Sequence, residues 1–189
     1  MKNDTFYIET SRLILRPFCE DDLPDMLSWA CDPAVQLEYG EPVYPDKAAV
    51  AGLLQKYLAA QAEPNTFRWS IVLRETGHGI GQIGFCRVYA DIHTAEIEYC
   101  IAASQWGHGY AGEALDAVIR WAFASTDFTK LEAYHRAENE KSGRVLQKSC
   151  MHLTENVERF RRINETPVGE ICYCIEKHSF LETHDNTNI

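Results

Sequence analysis

Apolar and polar positions change period several times along this chain, and the changes mark out its elements. Arg12-Leu13-Ile14-Leu15-Arg16 is a short apolar strand ended by Pro17. Glu20-Asp21-Asp22-Leu23 opens a helix, with acids where the helix dipole favours them, and the pattern stops near Asp32-Pro33. Residues Ala34 to Pro45 hold Gly40, Pro42 and Pro45 and read as a loop rich in Glu and Tyr. Asp46 is a good N-cap for a second helix reaching Ala62. Phe67, Trp69, Ile71 and Leu73 then alternate with Arg68, Ser70 and Arg74, the period of a half-buried strand. Turns at Thr76-Gly77 and at Ala90–His93 link it to strands over Ile80–Tyr89 and up to Ala102, an antiparallel meander.

The second half begins with a helix. Ala111, Ala114, Leu115, Val118 and Ala122 share one of its faces, and it reaches about Ala124. Leu131 to Arg136 is a strand, and Asn139 sits as N-cap of a helix running to about Cys150. Residues 152–162 and Glu170 to Ile175 form a closing antiparallel pair, and Thr183 to Ile189 is a polar tail. No internal repeat, low-complexity block or long linker divides the chain. The expectation is one mixed α/β domain over residues 1–180, followed by a tail over 181–189.

The segment Trp106-Gly107-His108-Gly109-Tyr110-Ala111-Gly112-Glu113-Ala114 carries the chemistry. It follows the strand Glu96-Ile97-Glu98-Tyr99-Cys100-Ile101 and runs into the helix. Strand, glycine-rich turn and helix start together make an anion site, because glycines admit close main-chain approach and the helix dipole adds positive potential. No Lys-Ser/Thr pair follows the last glycine, so this is not a Walker loop. The spacing also departs from the dinucleotide fingerprint. The anion is then a pyrophosphate held by backbone, with no metal required.

Composition narrows the reading. The 189 residues suffice for one domain with a sizeable core. No apolar run is long enough to cross a bilayer, and Met1-Lys2-Asn3-Asp4-Thr5 lacks a signal-peptide core, so a cytoplasmic, non-membrane protein is expected. The seven cysteines form no C-x-x-C pair and read as reduced thiols. The histidines lack zinc-ligand spacing. A net charge of −10 argues against nucleic-acid binding and favours a cationic substrate. Against that background Lys141, Arg144, Lys148, Arg159, Arg161 and Arg162 gather in one stretch, where they could face phosphate.

Four segments in order resemble the GNAT acyltransferase superfamily, in the branch of the Rim-type N-terminal acetyltransferases of ribosomal proteins. Glu9-Thr10-Ser11-Arg12-Leu13-Ile14-Leu15-Arg16 is similar to that branch's E-T-x-R-L-x-L-R opening, and Ala95-Glu96-Ile97-Glu98-Tyr99 to its A-E-I-G-Y strand. The glycine turn is similar to W-G-x-G-Y-A-x-E-A, and Asn139-x-x-Ser142-x-Arg144-Val145-Leu146 to N-x-x-S-x-R-V-L. The resemblance covers about Ile8 to Lys177. The chain departs from the superfamily pattern at several places. Trp106 stands for Gln or Arg, as is frequent in the Rim-like branch. Glu98 stands for Gly, and Ser149-Cys150-Met151 for Leu-Gly-Phe at the end of the helix. The fold implied is a mixed, mostly antiparallel sheet of about seven strands flanked by about four helices.

The resemblance implies acetyl-CoA as donor and a primary amine as acceptor, without a metal. Gly107, His108, Gly109, Tyr110 and Ala111 would offer amides to the CoA pyrophosphate, with Gly112 keeping the helix start open. Cys100 and Ile101 would pair their backbone with the pantetheine arm, Asn139 would hydrogen-bond it, and Ser142 would reach the sulfur or the arm. Glu96 is the candidate base, and alternation puts Glu98 on the same face. The superfamily's helix tyrosine, an acid for the leaving thiolate, is replaced by Leu146. Losing a proton costs a lysine amine (pKa ~10.4) roughly 3 kcal/mol more than an α-amine (pKa ~8), which favours the latter as acceptor. The leading expectation is therefore direct acetyl transfer to a protein or peptide N-terminus by a monomer or homodimer, with substrate choice in the Ala34–Pro45 loop and the start of the second helix. The alternatives are acetylation of a small amine (a polyamine, amino sugar or antibiotic) and a catalytically silent acyl-CoA sensor.

Overall fold

The computed structural model describes residues 6–163 and 166–185, and within these the side chains of 155–163, 166–168 and 184–185 are not described. Eight strands lie in the order β1-β2-β3-β4-β5-β6-β8-β7. They are β1 (Ile8–Glu9), β2 (Leu13–Arg16), β3 (Arg68–Leu73), β4 (Gly79–Tyr89), β5 (Thr94–Ile101), β6 (Lys130–Arg136), β7 (His152–Ile163) and β8 (Thr166–Glu176). The helices are α1 (Leu23–Ala30), α2 (Pro33–Tyr39), α3 (Lys47–Ala60), α4 (Tyr110–Ser125), α5 (Glu140–Lys148) and α6 (Lys177–Asp185). Among the described residues no helix is long and apolar enough to cross a membrane.

Two compact units divide the chain, one of Met1–Phe85 with Tyr99–Ala117, the other of Cys86–Glu98 with Val118–Ile189. In the first, β2 runs antiparallel to β1 and β3, and β3 antiparallel to β4. Its alternating strands bury Leu13, Leu15, Trp69, Ile71 and Ile83, while Met26, Trp29, Val50 and Leu54 make a second cluster under α1–α3. In the second unit β5 pairs with β6 in parallel, and β8 lies antiparallel between β6 and β7. There Val118, Ile119, Ala122, Leu131, Ala133 and Ile175 are buried, so the apolar face of α4 predicted from its spacing is the packed one.

Two segments differ from expectation for identifiable reasons. The Ala34–Pro45 loop contains α2. Asp32 accepts a hydrogen bond from Ala34 N at 2.9 Å, Pro33 takes the first helical position and Gly40 closes the helix at φ 84°. Asp-Pro and Gly are helix punctuation here, not loop signals. Residues 181–185, expected in the polar tail, belong to α6. Phe180 anchors that helix, buried and 5.4 Å from the Phe123 ring centroid. Among the described residues these helices bring the number to six in place of about four, and the two-residue β1 helps bring the strands to eight.

Strand contact leaves no room at Gly81. A Cβ there would sit 2.1 Å from the Cys100 carbonyl oxygen, a clash with backbone that cannot rotate away. At Gly52, on the exposed side of α3, an added Cβ meets nothing within 4 Å. Gly81→Ala should therefore cost about 3 kcal/mol or more. Gly52→Ala should stabilise by about 0.4–1 kcal/mol, because it removes only unfolded-state freedom. Urea midpoints of the two variants check both signs.

Candidate active site

The glycine turn is built by three local devices. Trp106 anchors its start, its indole N–H donating to the Ile101 carbonyl at 2.8 Å. This is what the tryptophan in place of Gln or Arg does. Gly107 and Gly109 then take φ of 82° and 81°, a region that side chains rarely adopt. Gly112 needs no such conformation, and a Cβ on it would touch nothing within 4 Å. Residues 107–109 are exposed, and α4 begins at Tyr110, so its first-turn N–H groups point along the helix axis without intrahelical acceptors. Exposed main-chain N–H groups at the positive end of a 16-residue helix suit a diphosphate.

Just upstream, Cys100 and Ile101 are buried. Ala102 N donates to Ile80 O at 2.8 Å, so this end of β5 is held on one side while its Ile101 carbonyl is taken by Trp106.

A brace behind the turn has no counterpart in the sequence reading. The Glu113 carboxylate accepts Thr10 Oγ1 at 2.5 Å, Ser11 Oγ at 3.2 Å, Arg12 N at 3.0 Å and Arg12 Nε at 2.6 Å. Arg12 also donates to the His108 carbonyl at 2.9 Å, and its guanidinium lies 4.7 Å from the centre of the Tyr110 ring. Burial by itself would raise the Glu113 carboxyl, but the hydrogen bonds from Thr10 and Arg12 outweigh it and hold the carboxyl below its ordinary value. Both halves were visible as motifs, Thr10-Ser11-Arg12 and Glu113, yet no periodicity links positions about a hundred residues apart.

The remaining candidates lie in the other unit. Glu96 is buried at 2% exposure, and Arg87 Nη1 donates to its Oε2 at 3.3 Å. Glu98, on the same face, is half-buried. The β5–β6 register runs from Thr94↔Lys130 to Ile97↔Ala133 and sets Glu96 beside Glu132. Glu132 in turn pairs with Lys130 at 2.7 Å and accepts the Tyr134 hydroxyl at 2.8 Å. Burial, then hydrogen bonding to Cys172 and Glu132, pushes the Tyr134 phenol up, so it stays protonated at neutral pH. Sequence reasoning missed Tyr134. Strand alternation alone would have put it on the face of Glu132.

Asn139 and Ser142 are brought together as the cap of α5, Asn139 Oδ1 accepting from Ser142 N at 2.9 Å. Leu146 is fully buried, so the position aligned with the superfamily tyrosine faces core. The Ser149 hydroxyl finishes the helix, donating to Leu146 O at 2.8 Å and accepting Met151 N at 3.1 Å. Of the basic stretch, Lys141, Arg144 and Lys148 are exposed and Arg144 pairs with Glu140 at 3.2 Å. The side chains of Arg159, Arg161 and Arg162 lie outside the described ones.

Comparison with known proteins defines the class. The profile of the acetyltransferase (GNAT) domain matches residues 12–152, and the chain belongs to that family. It is an acyl-CoA-dependent N-acetyltransferase, with acetyl-CoA as cosubstrate. Among similar proteins, the N-acetyltransferase YoaA of Bacillus subtilis is 28% identical over 170 residues, covering 90% of this chain and 96% of the relative. The ribosomal-protein-S5-alanine acetyltransferase of Vibrio fischeri shares the fold at a TM-score of 0.75 and 16% identity, covering 90% of this chain and 96% of that one. The spermidine N-acetyltransferase of Vibrio cholerae, solved with CoA and spermine, has a TM-score of 0.76 at 17% identity, covering 91% and 99%.

Two expected outcomes follow from this geometry. Asn139→Ala should cost about 1 kcal/mol in urea unfolding, with Asn139→Asp restoring most of it, because only the cap oxygen is needed for stability. Glu113, with its pKa lowered on folding, stabilises the fold above the ordinary carboxyl value of 4.5 and loses that contribution as pH falls through the lowered value. Glu113→Gln should thus be less stable than the parent at pH 7, and the gap in Tm should close below pH 4.5.

Proposed function

We propose that this acetyltransferase modifies a protein or peptide N-terminal α-amine, by direct attack on the acetyl thioester in a ternary complex. The observation that carries the reading is Glu96. It is the match to the family strand's glutamate, and it is buried and already engaged by Arg87 at 3.3 Å. A modest base, acting directly or through water, suffices for an α-amine. The amine needing least help is the α-amine, whose pKa of about 8 leaves a sizeable neutral fraction at physiological pH. Glu98, half-buried two residues along, would relay the proton through water to solvent.

The donor supplies an activated acetyl group whose thiolate departs with little acid assistance. In this reading the N–H groups of 107–112 bind its diphosphate. Two features support that: the positive φ of Gly107 and Gly109, and the open space over Gly112. A pantetheine arm would pair with the backbone near Cys100 and Ile101, at the end of β5. Asn139 and Ser142 would hold the arm from the start of α5. Tyr134, kept protonated, is a hydroxyl donor on the face of Glu96 and Glu132.

A second reading has its own support. Glu96, Glu98 and Glu132 lie on one sheet face of an acidic protein, a setting that suits a polyamine. Mass-spectrometric assay of N-terminal peptides against polyamines and other small amines separates the two. Peptide acetylation is expected, and transfer to polyamines alone would overturn the proposal. On the accepted substrate, Glu96→Gln should lower kcat by about 10²–10⁴ with CoA affinity unchanged. An undiminished kcat would remove Glu96 from the chemistry.

A further inference from the structure

We infer that Arg12 is a positioning residue for the donor site, setting the direction in which the glycine turn presents its N–H groups. The inference rests on the reading of that turn as the diphosphate site and goes beyond it to a side chain outside the turn. Three contacts carry the argument. First, Arg12 Nη1 holds the His108 carbonyl at 2.9 Å. In a trans peptide the C=O and the following N–H point in opposite directions, so fixing this carbonyl on Arg12 aims the Gly109 N–H away from Arg12. Gly109 sits at φ 81°, and glycine there has wide freedom to turn its peptide unless something restrains it.

Second, Glu113 places an anion in the first turn of α4, the turn that should receive a diphosphate. Left alone, that carboxylate would repel the ligand. The Arg12 guanidinium lies 2.6 Å from it and spreads its charge, while Thr10, Ser11 and the Arg12 amide take up its remaining acceptor capacity. Third, the guanidinium plane sits 4.7 Å from the Tyr110 ring, which in turn stacks on His108 at 5.6 Å between centroids. One side chain therefore fixes the carbonyl before Gly109, neutralises the acid behind the helix start and supports the ring that opens the helix. A lysine would keep the charge but cannot reach carboxylate and carbonyl with one planar fork.

The test compares two donors, acetyl-CoA and S-acetyl-pantetheine, which share the thioester and arm but differ in the diphosphate. In the parent enzyme kcat/KM should be far higher with acetyl-CoA. Arg12→Ala should raise KM for acetyl-CoA about tenfold or more at near-constant kcat, and leave kcat/KM for S-acetyl-pantetheine within about twofold. Arg12→Lys should keep the fold and recover only part of the acetyl-CoA KM. Equal losses on both donors, or none on either, would overturn the inference, since a merely structural arginine does not distinguish them. A parent that uses both donors equally well would instead refute the diphosphate reading of the turn.

Discussion

One carboxylate joins the two ends of what matters in this protein. Glu113 sits in the first turn of α4 and gathers the hydroxyls of Thr10 and Ser11, the backbone of Arg12 and its guanidinium. Each bond is charge-assisted, about twice the strength of a neutral one. Because Arg12 also grips the His108 carbonyl, the same cluster restrains a turn containing two left-handed glycines. Such a turn is costly to order by itself, since glycine loses more freedom on folding than any other residue. The brace supplies that order from outside the turn and leaves the N–H side uncovered.

The helices and strands that surround this point serve to aim it. Trp106 couples the turn to the end of β5 by its indole, and the buried face of α4 fixes the helix axis along which the dipole acts. In the other unit, β5 and β6 carry the polar row of Glu96, Glu132 and Tyr134 on one face and core residues on the other. The Asn139 cap at the start of α5 belongs to the same unit. In the proposed reading the main-chain turn would bind the donor, and the carboxylates and hydroxyls would serve acetyl transfer. The chemistry asked of the protein is mild because a thioester is already activated.

What could be read in the sequence, and what could not, divides by range. Asp46 and Asn139 were legible as caps because capping is a contact three residues long, and both side chains accept the expected N–H groups. The Phe67–Arg74 alternation gave the right strand for the same reason. α2 was missed because Asp-Pro and Gly punctuate loops and short helices alike, and only its buried Val35 and Gln36 separate the cases. α6 was missed because a mostly polar segment is held by one phenylalanine. The turn was legible as a motif, but its brace spans 101 residues between Arg12 and Glu113, and no local rule reaches that far. Likewise Glu96 is legible as a strand residue, while its partner Arg87 lies across a turn.

The central claim, that main-chain N–H groups of the turn receive the diphosphate, is open to direct observation. In isotope-labelled protein titrated with CoA, amide resonances of residues 107–112 should shift together and saturate with the same dissociation constant. Inorganic pyrophosphate should reproduce the direction of those shifts. Saturable CoA binding that leaves these amides unmoved would contradict the account.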